Sequence, residues 1–185
     1  MRLFIAITLD EDMKDIYTEI IDELKKNIIS GSFTHRENLH LTLNFIGETK
    51  RLELVKKLMM QAVEKTNSSS FTLDFGGLGS FRRREGDICF VQVSKESTLW
   101  RIQKELESGL NNEGFVVDDK EYRPHVTLSR RTTFRNGYEW RALNNSLSSK
   151  SMEVSEISLM QSDRIQGKLI YNKLYSVRLK DCNNS

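Results

Sequence analysis

The sequence predicts an α+β fold with two like lobes, each an antiparallel sheet flanked by helices, around a central cleft. Strand-like and helix-like segments alternate along the 185 residues, and their order in the first half returns in the second. The halves share a register, because His40 and His125 open similar tetrapeptides that lie 125 − 40 = 85 positions apart. We therefore expect one domain over 1–185, with pseudo-repeats at about 1–85 and 86–170 and a closing C-terminal strand.

The first half of the chain carries clear boundary signals. Arg2–Leu9 is rich in β-branched and aromatic residues and predicts a strand. Asp10 can cap a helix that Gly31 ends, with an apolar stripe of Met13, Ile16, Ile20, Leu24 and Ile28. A strand over His40–Ile46 follows. Thr49 can then cap a second helix, whose apolar face is Val55, Leu58, Met59, Ala62 and Val63. Phe71–Phe75 predicts a further strand before a glycine-rich turn.

The second half repeats this order of segments. Ile88–Val93 and His125–Ser129 predict strands, with a helix between them on the stripe Leu99, Ile102, Leu106 and Leu110. A weaker helical pattern covers Tyr138–Leu147. The closing strands are predicted at Val154–Leu159 and Leu174–Leu179.

Composition narrows the class of protein. The chain is 38% hydrophobic and 29% charged, which is typical of a globular domain. A net charge of +2 and an isoelectric point near 8.5 are compatible with a phosphate-bearing partner. Two cysteines are too few for a disulfide framework, and Cys89 lies in an apolar run that predicts a buried thiol. No apolar run is long enough to span a bilayer, and the N-terminus lacks a signal-peptide pattern. We expect a cytoplasmic monomer.

Two of the three histidines open nearly identical motifs, His40-Leu41-Thr42-Leu43 and His125-Val126-Thr127-Leu128. Side chains alternate along a strand, so in each motif the imidazole and the hydroxyl share one face while the aliphatic residues anchor the other. Two such faces across a cleft suit phosphodiester chemistry. A neutral imidazole can remove a proton and a charged one can supply a proton, while threonine hydroxyls can donate hydrogen bonds to phosphate oxygens.

A structural role and a metal site are the alternatives to catalysis for the three histidines. His35 stands alone, and we interpret it as a structural residue. A metal site is disfavoured at the two motifs, because two His-x-Thr units offer too few ligands and no Cys or His-x-His cluster lies near them in the sequence. The doubled motif therefore predicts a pair of catalytic histidines, His40 and His125.

These motifs resemble those of the 2H phosphoesterases, and more narrowly those of the RNA 2′,3′-cyclic phosphodiesterases, also called 2′-5′ RNA ligases. The resemblance runs almost end to end. It includes the segments MRLFIAITLDED, ENLHLTLNFIGE, GLGSF, RPHVTLSR and LMQS. It implies a bilobal α+β fold, hydrolysis of a 2′,3′-cyclic phosphate to a 2′-phosphate and a weak, reversible 2′-5′ joining of RNA ends. It also implies that no metal and no nucleotide cofactor take part.

By position, the resemblance implies His40 as the acid for the leaving oxygen and His125 as the base for water, in an order that could exchange. It implies Thr42 and Thr127 as substrate-binding residues and Arg130 as the residue that holds the phosphate. Strict alternation from His125 would instead turn Arg131 towards the cleft, so Arg130 needs a bend or bulge after Leu128. The sequence leaves that choice open.

Several alternatives stay open at this stage. The substrate could be a 2′-5′ oligonucleotide or a small cyclic nucleotide, and the same fold could serve as a non-catalytic module that binds RNA ends. The run Arg82-Arg83-Arg84 departs from the family, which tends to have a proline there. It could follow an RNA backbone through phosphate contacts, but we favour its interpretation as a solvated loop. Phe33 stands where relatives often carry tryptophan. Phe45 and Tyr122 flank the motifs and could stack on a base, although Phe45 is expected in the core.

Overall fold

A computed structural model describes residues 1–117, 121–139, 143–144 and 150–181. Within this part of the chain there are three α-helices, one short 3₁₀ helix (Arg36–Asn38) and nine strands. The strands are β1 (Arg2–Thr8), β2 (Ile28–Phe33), β3 (His40–Glu48), β4 (Phe71–Phe81), β5 (Asp87–Val93), β6 (His125–Phe134), β7 (Lys150–Val154), β8 (Glu156–Ile165) and β9 (Lys168–Arg178). The helices are α1 (Glu11–Lys25), α2 (Leu52–Thr66) and α3 (Ser97–Asn112).

All the pairings between these strands are antiparallel, and the strands follow the order β7-β4-β5-β6-β3-β1-β8-β9. β2 stands outside this order and pairs with the later part of β6. We call β9-β8-β1-β3 the first strand group, and β6-β5-β4-β7 together with β2 the second strand group. They meet where β3 pairs with β6, at Leu41 and Val126. The predicted α+β fold with antiparallel sheets and flanking helices is confirmed.

The strand groups do not coincide with the halves of the chain. β4 comes from the first half and pairs with β5 in the second strand group, whereas β8 comes from the second half and pairs with β1 in the first. Any repeat in the sequence is therefore interwoven in space. The internal duplication stays a prediction.

The first helix begins as predicted but ends earlier. The Asp10 side chain accepts a hydrogen bond from the Met13 backbone nitrogen at 2.8 Å, as an N-cap does. The helix ends at Lys25, so the prediction that it reaches Ile28 and stops at Gly31 was wrong. Both residues lie in β2, which pairs with the distant strand β6. A local apolar period cannot reveal a pairing so far along the chain.

The other two helices bury the predicted faces. Every residue of the predicted stripes on α2 and α3 is buried. Thr49 does not cap α2, because the helix begins after Arg51, and the Thr49 hydroxyl instead accepts a hydrogen bond from the Arg51 nitrogen at 3.0 Å. Asn67 ends α2 in the left-handed conformation.

Several strands run further than predicted. β4 continues through the glycine-rich segment to Phe81, since Gly79 lets the sheet lie flat against the Phe90 ring, where an added Cβ would come within 2.5 Å of a ring carbon. β6 extends to Phe134. The strand predicted over 154–159 is divided between β7 and β8. The helix predicted over 138–147 falls largely outside the described residues.

One hydrophobic core lies between the sheet and the three helices and draws on both strand groups. Cys89 is 1% exposed, as predicted for a buried thiol. Of the helices described, none combines the length and the apolar composition needed to span a membrane.

Candidate active site

The two motifs meet at the junction of the strand groups. His40 is the first residue of β3 and His125 the first of β6. Leu41 and Val126 are both fully buried and pair with each other. In an antiparallel register this pair sets His40 across from Thr127 and Thr42 across from His125, on the face that the aliphatic side chains do not use. The two imidazoles and the two hydroxyls thus share one face of the junction.

Both imidazoles are held by the same kind of hydrogen bond to the backbone. The Nδ1 atom of His40 lies 2.7 Å from the Asn38 carbonyl oxygen, and that of His125 lies 2.7 Å from the Arg123 carbonyl oxygen. A carbonyl oxygen only accepts, so Nδ1 carries the proton and Nε2 of the neutral ring has a free lone pair. The His40 Nε2 atom is 3.0 Å from the Thr42 hydroxyl oxygen. Each ring is therefore held as a base at Nε2 when neutral and as an acid there when charged.

Each imidazole also lies between two aromatic rings. His40 is 5.0 Å from Phe4 and 5.2 Å from Tyr171, measured between ring centroids. His125 is 5.2 Å from both Phe81 and Phe90. These contacts shield the imidazoles from water on their flanks.

Burial sets the charge state of the pair. Burial is the main cause that lowers the pKa of His40 from 6.5 to about 4, with smaller contributions from the positive charges of Arg130 and His125. Burial likewise lowers the pKa of His125, again with a contribution from Arg130. Both rings are therefore mainly neutral near pH 7 in the free protein.

The β6 strand carries the bulge that the Arg130 prediction required. Phe90 pairs with Thr127 and Cys89 with Ser129, so Leu128 is an extra residue that turns Arg130 to the face of His125 and Thr127. A second irregularity follows it, because Asp87 pairs with Thr132 and one residue of β5 therefore faces both Arg130 and Arg131. Arg131 takes a left-handed conformation with φ of 53°. Both arginines line one groove, and neither histidine is part of its lining. Which of the two arginines faces the cleft stays a prediction. Of the two, Arg130 is the one whose charge acts on both histidines.

A pair of reciprocal hydrogen bonds links the motifs. The Tyr122 hydroxyl, just before the second motif, donates to the Thr42 carbonyl oxygen at 3.0 Å. The Thr34 hydroxyl, shortly before the first motif, donates to the Thr127 carbonyl oxygen at 2.8 Å. We call these two hydrogen bonds the cross-braces. The Tyr122 ring, which the sequence offers for base stacking, packs edge-on against Trp100 at 5.0 Å.

A pocket of about 500 Å³ opens beside His125 and Thr42. Phe45 lines it and is 57% exposed, so the prediction that Phe45 lies in the core was wrong. Ala6 pairs with Thr42 and Ile5 with Asn44, so Leu43 is an extra residue that reverses the alternation after it. Asn44 is buried instead, at 3% exposure.

Sequence reasoning missed residues that hold His40 in place. The Asn38 side chain is buried, donates to the Leu169 carbonyl oxygen at 2.8 Å and accepts from the Tyr171 nitrogen at 3.3 Å. Asn38 thereby ties β9 to the carbonyl that holds the His40 ring. A buried asparagine two residues before a motif carries no local signal of this contact.

The remaining predicted residues are less central. Thr127 is half-buried on the junction face. His35 lies outside the pair, and its ring Nδ1 accepts from the Glu37 nitrogen at 3.4 Å, in keeping with a structural role. Among the residues that the structure describes, no three His, Cys, Asp or Glu side chains are grouped so as to hold a metal ion.

Comparison with solved structures finds the same fold. The crystal structure of the Escherichia coli protein LigT complexed with 3′-AMP superposes with a TM-score of 0.73 at 25% identity, covering 96% of this chain and 97% of that one. A structure described only as a phosphoesterase gives a TM-score of 0.75 at 26% identity, covering 97% and 98%.

Sequence comparison finds relatives named RNA 2′,3′-cyclic phosphodiesterase. The Methanothermobacter thermautotrophicus protein is 30% identical over 97% of this chain and 99% of its own length. The Thermotoga maritima protein is 32% identical over 75% of this chain and 74% of its own length. The model of the 2′-5′ RNA ligase superfamily matches residues 14–166. With both histidine motifs inside that match, this chain belongs to the 2′-5′ RNA ligase superfamily.

Proposed function

We propose that the protein hydrolyses RNA ends that carry a 2′,3′-cyclic phosphate, leaving a 2′-phosphate, by acid–base catalysis with His40 and His125 and without a metal ion. One observation carries the proposal: the two imidazoles meet at the Leu41–Val126 junction, each held through Nδ1, with the Arg130 charge beside both. The printed name of the relatives agrees with this substrate.

In the proposed reaction, Nε2 of neutral His125 takes a proton from water, and the water oxygen bonds to phosphorus. The bond between phosphorus and O3′ breaks, and the His40 imidazolium gives its Nε2 proton to O3′. The products are a 2′-phosphate and a free 3′-hydroxyl. His125 then loses the proton to solvent and His40 regains one, which restores the starting state.

The substrate itself would charge His40. A phosphate anion beside Arg130 compensates the guanidinium charge that disfavours the imidazolium, and its own charge attracts a proton to the ring. Because burial lowers the pKa of His40 to about 4 in the free protein, its imidazolium is a strong proton donor once formed. This property suits protonation of a departing alkoxide.

The threonines and Arg130 would stabilise the transition state. The hydroxyls of Thr42 and Thr127 lie on the same face as the imidazoles and can donate to the non-bridging phosphate oxygens, where negative charge accumulates. Arg130 adds a full positive charge on that side. If a 5′-hydroxyl takes the place of water, the same steps join two RNA ends through a 2′-5′ linkage.

The pocket beside His125 suits the terminal nucleoside. Phe45 offers an exposed ring, and Phe81 lines the same pocket. Stacking of a base on an aromatic ring contributes about 1–3 kcal/mol and tolerates any base. In this arrangement Phe45 would stack on the base, and the two histidines would carry out the proton transfers at the phosphate.

The test is hydrolysis of an RNA oligonucleotide that ends in a 2′,3′-cyclic phosphate, measured in EDTA. We expect the wild type to release a 2′-phosphate end and His40→Ala and His125→Ala each to lose about 10²–10⁴ in rate. His35→Ala is the matched control, since it removes the third histidine without touching the pair, and it should keep its rate. An inert wild type, or full activity in either site variant, would overturn the assignment.

A substrate panel separates the alternatives. It compares the RNA end with a 2′,3′-cyclic mononucleotide and a 2′-5′-linked dinucleotide under the same conditions. Turnover of either small substrate far above the RNA end would replace the RNA assignment. Binding of the RNA end without any turnover would instead favour a non-catalytic RNA-end binding module.

A further inference from the structure

A groove rich in arginine adjoins the histidine pair. Arg83, Arg84, Arg130 and Arg131 line it, together with Ser32, Glu85, Gly86 and Ile88. Arg130 belongs both to this groove and to the site, since its charge acts on the two histidines. Arg83 lines both the groove and the pocket beside His125. The arginine groove therefore leads directly to the proposed position of the reactive phosphate.

The backbone fixes the shape of the arginine groove. Its one wall is the irregularity of β6 at 130–131, and its other wall is the turn between β4 and β5. The two walls touch at Gly86, where an added Cβ would come within 2.6 Å of the Arg131 carbonyl carbon. Two consecutive arginines of β6 and two of the turn thus face the same space.

The guanidinium groups of the groove have no acidic partners within the described part of the chain. The ion pairs found there involve other arginines, such as Arg36 with Glu11 and Arg51 with Glu113. Glu85 lines the groove but forms no ion pair with its arginines. Four like charges in one groove repel each other, and a bound polyanion would relieve that repulsion.

The lining indicates which anion fits. It offers four guanidinium groups, one carboxylate, a hydroxyl and one aliphatic side chain, and among the described residues that line it there is no aromatic ring on which a base could stack. Arginine forks match phosphate oxygens in pairs. A groove of this kind contacts a sugar-phosphate backbone and does not read its sequence.

We propose that the arginine groove binds the backbone phosphates of the RNA strand upstream of the terminal cyclic phosphate, so that an oligonucleotide end is preferred to a mononucleotide. This inference rests on the proposed function of the histidine pair. The arginines of the run Arg82–Arg84 are exposed in a turn, as expected of a solvated loop, but only Arg83 and Arg84 line the groove. Arg82 is therefore a matched control within the same turn.

The experiment compares kcat/KM for a short RNA ending in a 2′,3′-cyclic phosphate with kcat/KM for the 2′,3′-cyclic mononucleotide of the same base. For the double variant Arg84→Gln/Arg131→Gln, we expect the ratio of the two values to fall about tenfold. The dependence of log kcat/KM on log salt for the RNA should flatten by about 1.4, or about 0.7 for each lost phosphate contact. Arg82→Gln should keep the wild-type ratio and slope.

A binding measurement separates failure of the groove from failure of the reaction. The probe is the same RNA ending in a 2′-phosphate, labelled at its 5′ end and followed by fluorescence anisotropy. If the double variant binds this probe as tightly as the wild type, with the same salt slope, the groove inference is overturned even where turnover is normal. If binding weakens as expected while the wild type turns over neither substrate, the groove stands and the proposed reaction falls.

Discussion

The two imidazole rings make the same hydrogen bond to the backbone but differ in their surroundings. Both use Nδ1 to donate to a carbonyl two residues earlier, which leaves Nε2 for proton transfer. His40 has a further hydroxyl at Nε2, from Thr42, and burial lowers its pKa to about 4. The fold therefore supplies two neutral bases, and the reaction needs one of them to become an acid. The anionic substrate is the natural source of that change.

If the substrate anion charges one imidazole, the pH profiles of kcat/KM and kcat should have their maxima at different pH. The profile of kcat/KM reports the free protein, where both pKa values lie below 6.5, so its maximum should lie below pH 6.5. The profile of kcat reports the complex, where the phosphate anion raises both pKa values, so its maximum should lie at higher pH. The limbs belong to the coupled pair and not to either histidine alone.

The measurement is initial rate against pH with the RNA end at limiting and saturating concentrations. Inorganic phosphate, titrated into the protein while the histidine Cε1 protons are followed by NMR, gives an independent reading. It should move both imidazole titrations to higher pH. A kcat/KM maximum at or above pH 6.5, or imidazole titrations that phosphate does not move, would contradict the electrostatic account.

Among the elements, β3 and β6 show which side-chain orientations at the site could be predicted from the sequence and which could not. Alternation along the first residues of each strand correctly predicted which side chains point into the core. Each strand then carries a bulge, at Leu43 in β3 and at Leu128 in β6, after which the alternation changes, and β6 has a second irregularity at 130–131. Exposed Phe45 and the shared groove of Arg130 and Arg131 both lie beyond a bulge, so a regular period could not predict them.

The irregularity of β6 at 130–131 depends on a close approach that only glycine allows. Gly86 has φ of 105°, and an added Cβ would meet the Arg131 backbone at 2.6 Å. We expect Gly86→Ala to lower the free energy of unfolding by about 1–3 kcal/mol for the backbone strain alone, with more for the clash. It should also lower the preference for RNA over the mononucleotide, because the arginine groove loses its shape.

Urea unfolding and the two-substrate ratio measure these effects together. Gly114→Ala is the matched control, because Gly114 has φ of 78° but nothing within 4 Å of an added Cβ. It should lose only the strain contribution, about 1 kcal/mol, and keep the substrate ratio. Equal losses in the two variants would contradict the role of the close approach.

At the scale of the whole molecule, the catalytic pair depends on how two strand groups are held together. The ladder between them has the single pair Leu41–Val126, and β4 and β8 are exchanged relative to the halves of the chain. The two strand groups are linked by the chain connections to the exchanged strands and by the hydrophobic core that both groups share. None of this could be read from local patterns, since the doubled motif indicates two similar pieces and not which strands each piece receives.

Near the site, the Tyr122 cross-brace ties the segment before β6 to β3, and the Thr34 cross-brace ties the segment that leads from β2 towards β3 to β6. Tyr122→Phe and Thr34→Val each remove one hydroxyl with little change in shape. We expect each variant to lower the free energy of unfolding by about 1 kcal/mol. Because the histidines come from opposite strand groups, the double variant should lose about tenfold in kcat with a smaller change in KM, since misplacement acts mainly on the transition state.

Thr18→Val is the matched control, because the Thr18 hydroxyl donates to the Lys14 carbonyl oxygen at 2.7 Å within α1 and away from the site. It should cost similar stability and leave kcat unchanged. Urea unfolding and steady-state kinetics on the RNA end give both readings for all four variants. If Thr18→Val lowers kcat as much as the cross-brace variants do, the loss reflects general loosening, and the cross-braces do not position the histidines.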